Sequence, residues 1–187
     1  MKATHKHAED GYELLRQKSR QITESTLPSV MLNSNGQAID LKDAVRLNGI
    51  DFISKAKARE WDNSPLRRVD WNWHKGVDHY AWRNPKRFEL AIWYRDLFLC
   101  GLSLGRPTWS GSKLRLDFIE ASPKKTPLTG LITDITISAV ETYADAIGAV
   151  QLRIMNPVND QVKKHYLHSS RGFSYNSKGD FCFKDLA

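Results

Sequence analysis

Residues 114–155 read LRLDFIEASPKKTPLTGLITDITISAVETYADAIGAVQLRIM, and the fold class follows from this stretch. Apolar and charged side chains alternate at its start, which predicts a β-strand over residues 113–121. Apolar residues within 128–146 then recur every three or four positions, which predicts an α-helix that Gly148 ends. Residues 149–155 alternate again, so the predicted order is strand, loop, helix, strand.

The flanking segments continue this mixture of helices and strands. Two apolar runs separated by Arg95 and Asp96 predict a buried β-hairpin. Residues 66–87 are dense in aromatic and charged side chains and show no clean period. The element order indicates a mixed α/β or α+β fold in a single domain over residues 1–187. We predict helices over residues 12–22, 40–61 and 156–172, hairpin strands over 87–94 and 97–105, and a closing hairpin over 173–186; an interruption of the second helix at Gly49 stays open.

The composition is that of an ordinary folded protein. Hydrophobic residues make up 41% and charged residues 26% of the 187 positions. These fractions exclude collagen-like, low-complexity and wholly disordered chains. No run approaches the roughly 18 apolar residues of a membrane span, and the N-terminus lacks the apolar core of a signal peptide, so we expect a cytoplasmic protein with no membrane partner. The net charge of +7 favours anionic partners such as nucleic acid or a phosphorylated ligand.

The cysteines and histidines do not indicate a metal site. Cys100 and Cys182 lack metal-ligand spacing, and we expect them to be free thiols that pack in the interior. His165 and His168 lie three residues apart on a predicted helix but have no third ligand. We therefore predict that the protein uses no metal.

The loop between the predicted strand and helix, residues 122–130, is a candidate anion site. The first N–H groups of a helix have no partner within the helix and attract phosphate. Lys124 and Lys125 would add positive charge, and Thr126 and Thr129 would offer hydroxyl donors. The alternative is that the two lysines are only the solvated part of a turn.

A series of motifs runs through residues 88–175. They are the strand-end corner Ala121-Ser122-Pro123, the basic Lys125, the loop glycine Gly130, the helix end Tyr143–Gly148, the alternating strand Gln151–Met155, then Asn159, Tyr166 and the pair Gly172-Phe173. In the order and spacing of these parts, the chain resembles the GNAT superfamily of acyl-CoA-dependent N-acyltransferases. Leu128 stands where the family usually has a glycine and Pro127 has no N–H group, so we expect an atypical pyrophosphate loop.

The resemblance implies a fold and an activity. The fold would be a central, mostly antiparallel sheet with splayed middle strands and flanking helices. Residues 1–65 would form a helical N-terminal flank and residues 88–187 the CoA-binding core. The activity would be transfer of an acetyl group from acetyl-CoA to an amine by direct attack on the thioester. The residues that the resemblance implies for binding acetyl-CoA are Ile119, Ala121, Lys125, Thr126, Leu128, Thr129, Gly130, Leu131 and Asn159.

The same resemblance implies catalytic roles. Tyr166 would be the general acid for the departing thiolate, and the N–H group of Ala121 would stabilise the oxyanion. Glu120 is the favoured base because it is nearer the splay of the strands, and Asp117 is the alternative. Unless a bulge intervenes, a regular strand turns at most one of these two residues toward the acceptor. In the alternative interpretation, Tyr166 only packs its ring on the sheet and Glu120 caps a helix or meets solvent.

The aromatic segment over residues 66–87 is the predicted acceptor site. Trp71, Trp73 and Tyr80 are suited to stacking on a nucleobase or, with neighbouring basic residues, to holding an acidic peptide. The alternative is that the tryptophans cover the hairpin core. The acceptor stays open between a small molecule, a protein and aminoacyl-tRNA, and a homodimer stays open as the assembly.

A second hypothesis assigns no reaction to the chain. A nonenzymatic basic module, built on an inactive acyltransferase-like fold, would bind nucleic acid or protein. The absence of a glycine at Leu128 and the aromatic, basic segment fit this hypothesis. Salt-dependent binding of nucleic acid with no effect of CoA would distinguish it from the enzyme.

Overall fold

The structure is a computed structural model that describes residues 5–33, 35–168 and 171–186. Five helices and nine strands are described in it. The helices are α1 (His5–Thr26), α2 (Phe52–Asp62), α3 (Trp73–Arg83), α4 (Ile132–Ala146) and α5 (Asp160–Tyr166). The strands are β1 (Val30–Leu32), β2 (Ala38–Asp40), β3 (Val45–Asn48), β4 (Phe88–Tyr94), β5 (Phe98–Pro107), β6 (Lys113–Ala121), β7 (Gln151–Met155), β8 (Ser174–Asn176) and β9 (Phe181–Asp185).

Seven strands form one sheet in the order β3-β4-β5-β6-β7-β9-β8, and β1 pairs with β2 in a separate hairpin. All neighbours in the large sheet are antiparallel except β6 and β7. These two strands pair only through Lys113–Leu116, although β6 continues to Ala121. The predicted mixed α/β fold, with a mostly antiparallel sheet and splayed middle strands, is confirmed.

Helices cover both faces of the sheet. On one face, α4 buries Ile135 and Tyr143 against Leu90 and Leu116 of the central strands, and α1 packs beside α4. On the other face, α2 and α3 pack together, and their inward side chains join those of β4 and β5 in a second apolar cluster. The divergence of β6 and β7 therefore opens a gap between two helical layers.

The predicted elements over residues 87–186 are confirmed in type and order. Strands β4 and β5 form the expected hairpin, β6 follows, and α4 leads into β7. The helix predicted over residues 156–172 is shorter, because Asn159 caps α5 by accepting a hydrogen bond from the Val162 N–H at 2.9 Å. Cys100 and Cys182 are buried and unpaired, as predicted.

The helix predicted over residues 40–61 is wrong in its first half. Residues Val45–Asn48 form β3, which pairs with the edge of β4. Val45 and Leu47 alternate inward in this strand, so the apolar residues that suggested a helical face also fit a period of two. Helix α2 begins only after Asp51, whose carboxylate accepts a hydrogen bond from the Ser54 N–H at 2.8 Å.

Helix α1 is longer than the predicted 12–22. The prediction is too short because the inward face of the helix is polar. The side chain of Arg16 is 1% exposed and forms ion pairs with Glu9 at 2.6 Å and Glu13 at 2.8 Å. Arg16 also donates to the carbonyl of Pro85 at 2.8 Å. The buried positions of α1 recur every three or four residues but are polar, so the spacing of apolar residues does not mark the full length of the helix; they are Arg16, Ser19, Arg20 and Thr23. In the described part of the chain, none of the helices combines the length and the hydropathy that a membrane span requires.

Candidate active site

A cleft of about 810 Å³ lies where β6 and β7 diverge. Its walls come from the loop before α3, the second half of β6 with the following turn, the first residues of α4, the end of β7, and α5. Some of the residues predicted to bind acetyl-CoA or to take part in catalysis line this cleft, namely Ile119, Glu120, Ala121, Thr129 and Tyr166.

A β-bulge in β6 sets which side chains face which layer. Phe118 lies opposite Leu104 and Leu116 lies opposite Gly105, so Asp117 is the extra residue. A Cβ atom on Gly105 would lie 2.4 Å from the carbonyl oxygen of Arg115, so glycine permits the close approach of the two strands here. The bulge brings Asp117 and Glu120 to the same face, which a regular strand would not do.

The main chain of β6 presents N–H groups to the cleft. The Ser122 N–H donates to the Cys100 carbonyl at 2.8 Å, which makes Gly101 and Ala121 a non-hydrogen-bonded pair of the antiparallel ladder. The N–H groups of Ala121 and Ile119 therefore point away from β5, toward the side from which β7 has diverged. The main-chain groups of Glu120 point the opposite way, to β5.

Glu120 is held by three donors. Its carboxylate accepts from Arg67 Nε at 2.7 Å, from Arg67 Nη2 at 3.0 Å and from Trp73 Nε1 at 2.5 Å. The side chains of Arg67 and Glu120 are 8% and 5% exposed, so this is a buried ion pair. Arg67 also binds Asp62 and the carbonyl of Trp71, so it ties the loop before α3 to the end of β6. The pKa of Arg67 is raised, chiefly by its hydrogen bond to Glu120.

Asp117 is also fully engaged. Its carboxylate accepts from the Tyr80 hydroxyl at 2.7 Å, from Arg106 Nε at 3.2 Å and from Arg115 Nε at 2.5 Å. Burial, and then the charge of Asp117, raise the pKa of Tyr80, so this hydroxyl stays protonated. The two carboxylates near the cleft are thus both neutralised by arginines.

The three predicted acceptor residues are placed differently. Trp71 lines the cleft and packs edge-on against Phe118, with ring centroids 5.1 Å apart. Trp73 is only 4% exposed, and its indole N–H donates a hydrogen bond to Glu120. The Tyr80 hydroxyl likewise donates to Asp117. Trp73 belongs to the apolar cluster of β4, β5 and the two helices, as the alternative interpretation proposed.

Tyr166 ends α5 and lines the cleft with a buried ring. Burial raises its pKa to about 12. Within the described residues its hydroxyl has no hydrogen-bond partner. The neighbouring His165 also lines the cleft, and burial, followed by the charge of Arg171, lowers its pKa.

The loop from β6 to α4 divides its residues between surface and core. Lys125, Thr129 and Gly130 are exposed, whereas Leu128 and Leu131 are almost fully buried in the main apolar cluster. The Thr126 N–H donates to Thr129 Oγ1 at 2.8 Å and is not free for a phosphate. No side chain caps α4 at Leu131, so its first N–H groups have no side-chain partner there. Leu128 thus acts as a core residue in the place of a loop glycine.

From the sequence, Arg67 and Arg68 were predicted only as basic neighbours of the acceptor aromatics, and Phe118 was not assigned to the cleft. Arg68 and Phe118 line it, and Arg67 determines the position of Glu120. Asn159 is not part of the lining and serves as the cap of α5. A buried acid requires a partner, but that rule does not identify which of the 28 basic residues provides it. Among the described residues, no three His, Cys, Asp or Glu side chains are grouped as a metal ion would require.

The sequence matches no protein-family model and no curated protein. Solved structures do match. A GNAT-family acetyltransferase from Staphylococcus aureus superposes with a TM-score of 0.57 at 10% identity, over 77% of this chain and 100% of that chain. A variant of the spermidine N-acetyltransferase SpeG from Vibrio cholerae gives 0.55 at 10% identity, over 76% and 94%. Arabidopsis thaliana Naa50, in complex with the bisubstrate analogue CoA-Ac-MVNAL, gives 0.50 at 14% identity, over 75% and 95%.

At these identities the comparisons show a shared fold. The resemblance to the GNAT superfamily that the sequence motifs carried is confirmed at the level of the fold. The alignment covers almost the full length of each of these three proteins. The similarity therefore extends to the whole architecture and is not limited to one βαβ unit.

Proposed function

We propose that this chain, which has the fold of the GNAT acetyltransferases, transfers an acetyl group from acetyl-CoA to an amine. One observation carries the proposal. The N–H groups of Ile119 and Ala121 point into the gap between β6 and β7, beside the buried Tyr166. The gap thus offers main-chain donors to a ligand, and a tyrosine lines the same cleft.

The acetyl-CoA fits this gap by the chemistry of its parts. The amide-containing arm would pair with the free main-chain edge of β6 as an added strand does. The pyrophosphate would lie against the first N–H groups of α4, with the exposed Lys125 nearby. Thr126 and Leu128 would shape this loop rather than bind, since the first bonds Thr129 and the second is buried.

The reaction requires a donor for the developing oxyanion and a proton for the departing thiolate. In the proposal, the Ala121 N–H stabilises the oxygen of the thioester carbonyl as the amine attacks. The amine attacks in its neutral form, Tyr166 donates its proton to the departing sulfur, and the proton that the nitrogen loses as the amide forms restores the Tyr166 hydroxyl through solvent. A pKa of about 12 keeps this hydroxyl protonated at neutral pH.

We propose a positioning role for Glu120 rather than the role of the base. Its two oxygens already accept three hydrogen bonds from Arg67 and Trp73. Protonation of this carboxylate would break the charge pairing of the buried Arg67. Glu120 instead fixes the loop that forms the acceptor side of the cleft.

The first experiment is a thermal-shift titration with acetyl-CoA, CoA and ATP in parallel. A ligand at 100 times its Kd stabilises the native state by about 2.7 kcal/mol, so both CoA species should raise the melting temperature while ATP has little effect. Lys125→Gln should weaken the shift, whereas Lys178→Gln, in the turn between β8 and β9, should not. Thiol release from acetyl-CoA in the presence of amines then measures transfer. No shift with either CoA species would overturn the proposal and favour the nonenzymatic module.

A further inference from the structure

The charged side chains on the acceptor side of the cleft are partnered, with one exception. The carboxylates of Asp117 and Glu120 accept hydrogen bonds from arginines, and Arg67 is bound to Glu120 and Asp62. Arg68 lines the same cleft but forms no hydrogen bond or ion pair with any residue in the described ranges. Its guanidinium is therefore a cation available to a ligand.

The chain fixes the base of the Arg68 side chain. The adjacent Arg67 is anchored on both sides, by Glu120 and by the Trp71 carbonyl. The Arg67 N–H also donates to the Ser64 carbonyl at 3.1 Å, which closes a turn before Arg68. A planar guanidinium on a fixed backbone matches the two oxygens of a carboxylate or a phosphate.

The same wall is unsuited to a polycation. Binding several ammonium groups requires carboxylates with free lone pairs and uncompensated charge. Asp117 and Glu120 are the acids that line the cleft in the described part of the chain, and arginines already neutralise both. The matched Vibrio cholerae protein is named for spermidine, which is a polycation. The partnered acids of this cleft do not favour an acceptor of that type.

The size of the cleft is compatible with a small acceptor. Its volume is about 810 Å³. Cavities of about 300–1,000 Å³ hold ligands of ordinary small-molecule size. The apolar edges of Trp71 and Phe118 would contact the carbon skeleton of such a molecule.

We propose that the acceptor is a small amine that also carries an oxyanion, a carboxylate or a phosphate, and that Arg68 binds this oxyanion. The inference rests on the proposed acetyltransferase function. It identifies Arg68 as a specificity-determining residue of the cleft.

The test uses matched amines with the protein saturated in acetyl-CoA. Glycine, β-alanine and phosphoethanolamine carry the oxyanion, glycinamide, β-alaninamide and ethanolamine lack it, and spermidine is the polycation. Binding is followed by the further thermal shift of the protein saturated with CoA, and transfer by thiol release from acetyl-CoA. We expect kcat/KM for at least one oxyanion-bearing amine to exceed that of its neutral partner by about tenfold to a hundredfold. Comparison of glycine and β-alanine with phosphoethanolamine shows whether the cleft prefers a carboxylate or a phosphate.

The variant Arg68→Gln should remove that preference. It should lower kcat/KM for the oxyanion-bearing amine about tenfold or more and leave the neutral amine within twofold. Arg83→Gln, an exposed arginine on α3 outside the cleft, is the matched control and should change neither. Failure of acetyl-CoA itself to bind would contradict the proposed function. If acetyl-CoA binds, the inference is overturned by better use of spermidine or the neutral amines, by equal losses in Arg68→Gln, or by no effect of any oxyanion-bearing amine in either assay.

Discussion

The two walls of the cleft are made from different parts of the polypeptide. Toward β7 and α4, the polar groups that β6 turns to the gap belong to its main chain, namely the N–H groups of Ile119 and Ala121, and Tyr166 of α5 lies beside them. On the acceptor side they are side chains of Arg67, Arg68 and Trp71, carried by the loop before α3. Main-chain groups keep their positions as long as the elements do, whereas a side-chain wall depends on individual residues. The difference suggests that the first wall serves the common step and the second serves selectivity.

The largest expected effect comes from breaking the side-chain wall at Arg67. Arg67→Met should lower the free energy of unfolding by about 3 kcal/mol, because it leaves the Glu120 carboxylate buried without a cation. Affinity for acetyl-CoA should stay within about threefold, because the main-chain wall is intact. Urea denaturation and isothermal titration measure the two quantities.

Two further variants test the origin of that loss. Arg83→Met removes an exposed arginine of α3 and should change stability by about 0.5 kcal/mol or less. The double variant Arg67→Met with Glu120→Gln should lose less than the sum of its parts, because the uncompensated charge is gone. A loss below about 1 kcal/mol in Arg67→Met would show that the ion pair does not organise the acceptor wall.

A second prediction concerns Tyr166, a side chain on the side of the cleft that binds the thioester. Tyr166→Phe should lower kcat about a hundredfold by removing the proton donor, while Kd for acetyl-CoA stays within about twofold. Since the pKa of Tyr166 is about 12, its ionisation should not lower the wild-type kcat between pH 8 and pH 10. Steady-state kinetics and titration with acetyl-CoA give both values, and unchanged kcat in the variant would remove Tyr166 from the mechanism.

The two walls also differ in how well the sequence predicts them. The buried runs of β4 and β5 and the apolar spacing of α4 are local patterns, and they predict these elements correctly, while the gap beside β6 was implied by the family resemblance. The patterns fail where the inward residues are polar, as in α1 with its buried Arg16, or where two periods fit equally well, as in β3. Local periodicity therefore predicts the strands and the helix that surround the gap.

The acceptor wall depends on contacts between distant positions. Arg67 and Glu120 lie 53 residues apart, and a single sequence does not state which basic residue pairs with which buried acid. The bulge at Asp117 likewise depends on the absence of a side chain at Gly105 on the neighbouring strand. Both features decide which acids face the cleft, so the chemistry of the acceptor side requires the three-dimensional arrangement.

The smallest expected effect separates a structural role from a binding role at Asn159. Its side chain caps α5, the helix that carries Tyr166, and the residue does not line the cleft. Asn159→Ala should therefore lower stability by about 1 kcal/mol, a decrease in melting temperature of about 2–4 °C, and leave Kd for acetyl-CoA within about twofold. Asn159→Asp, which keeps the capping oxygen, should restore the melting temperature. A tenfold loss of acetyl-CoA affinity in both variants, with stability unchanged, would instead place Asn159 on the cofactor.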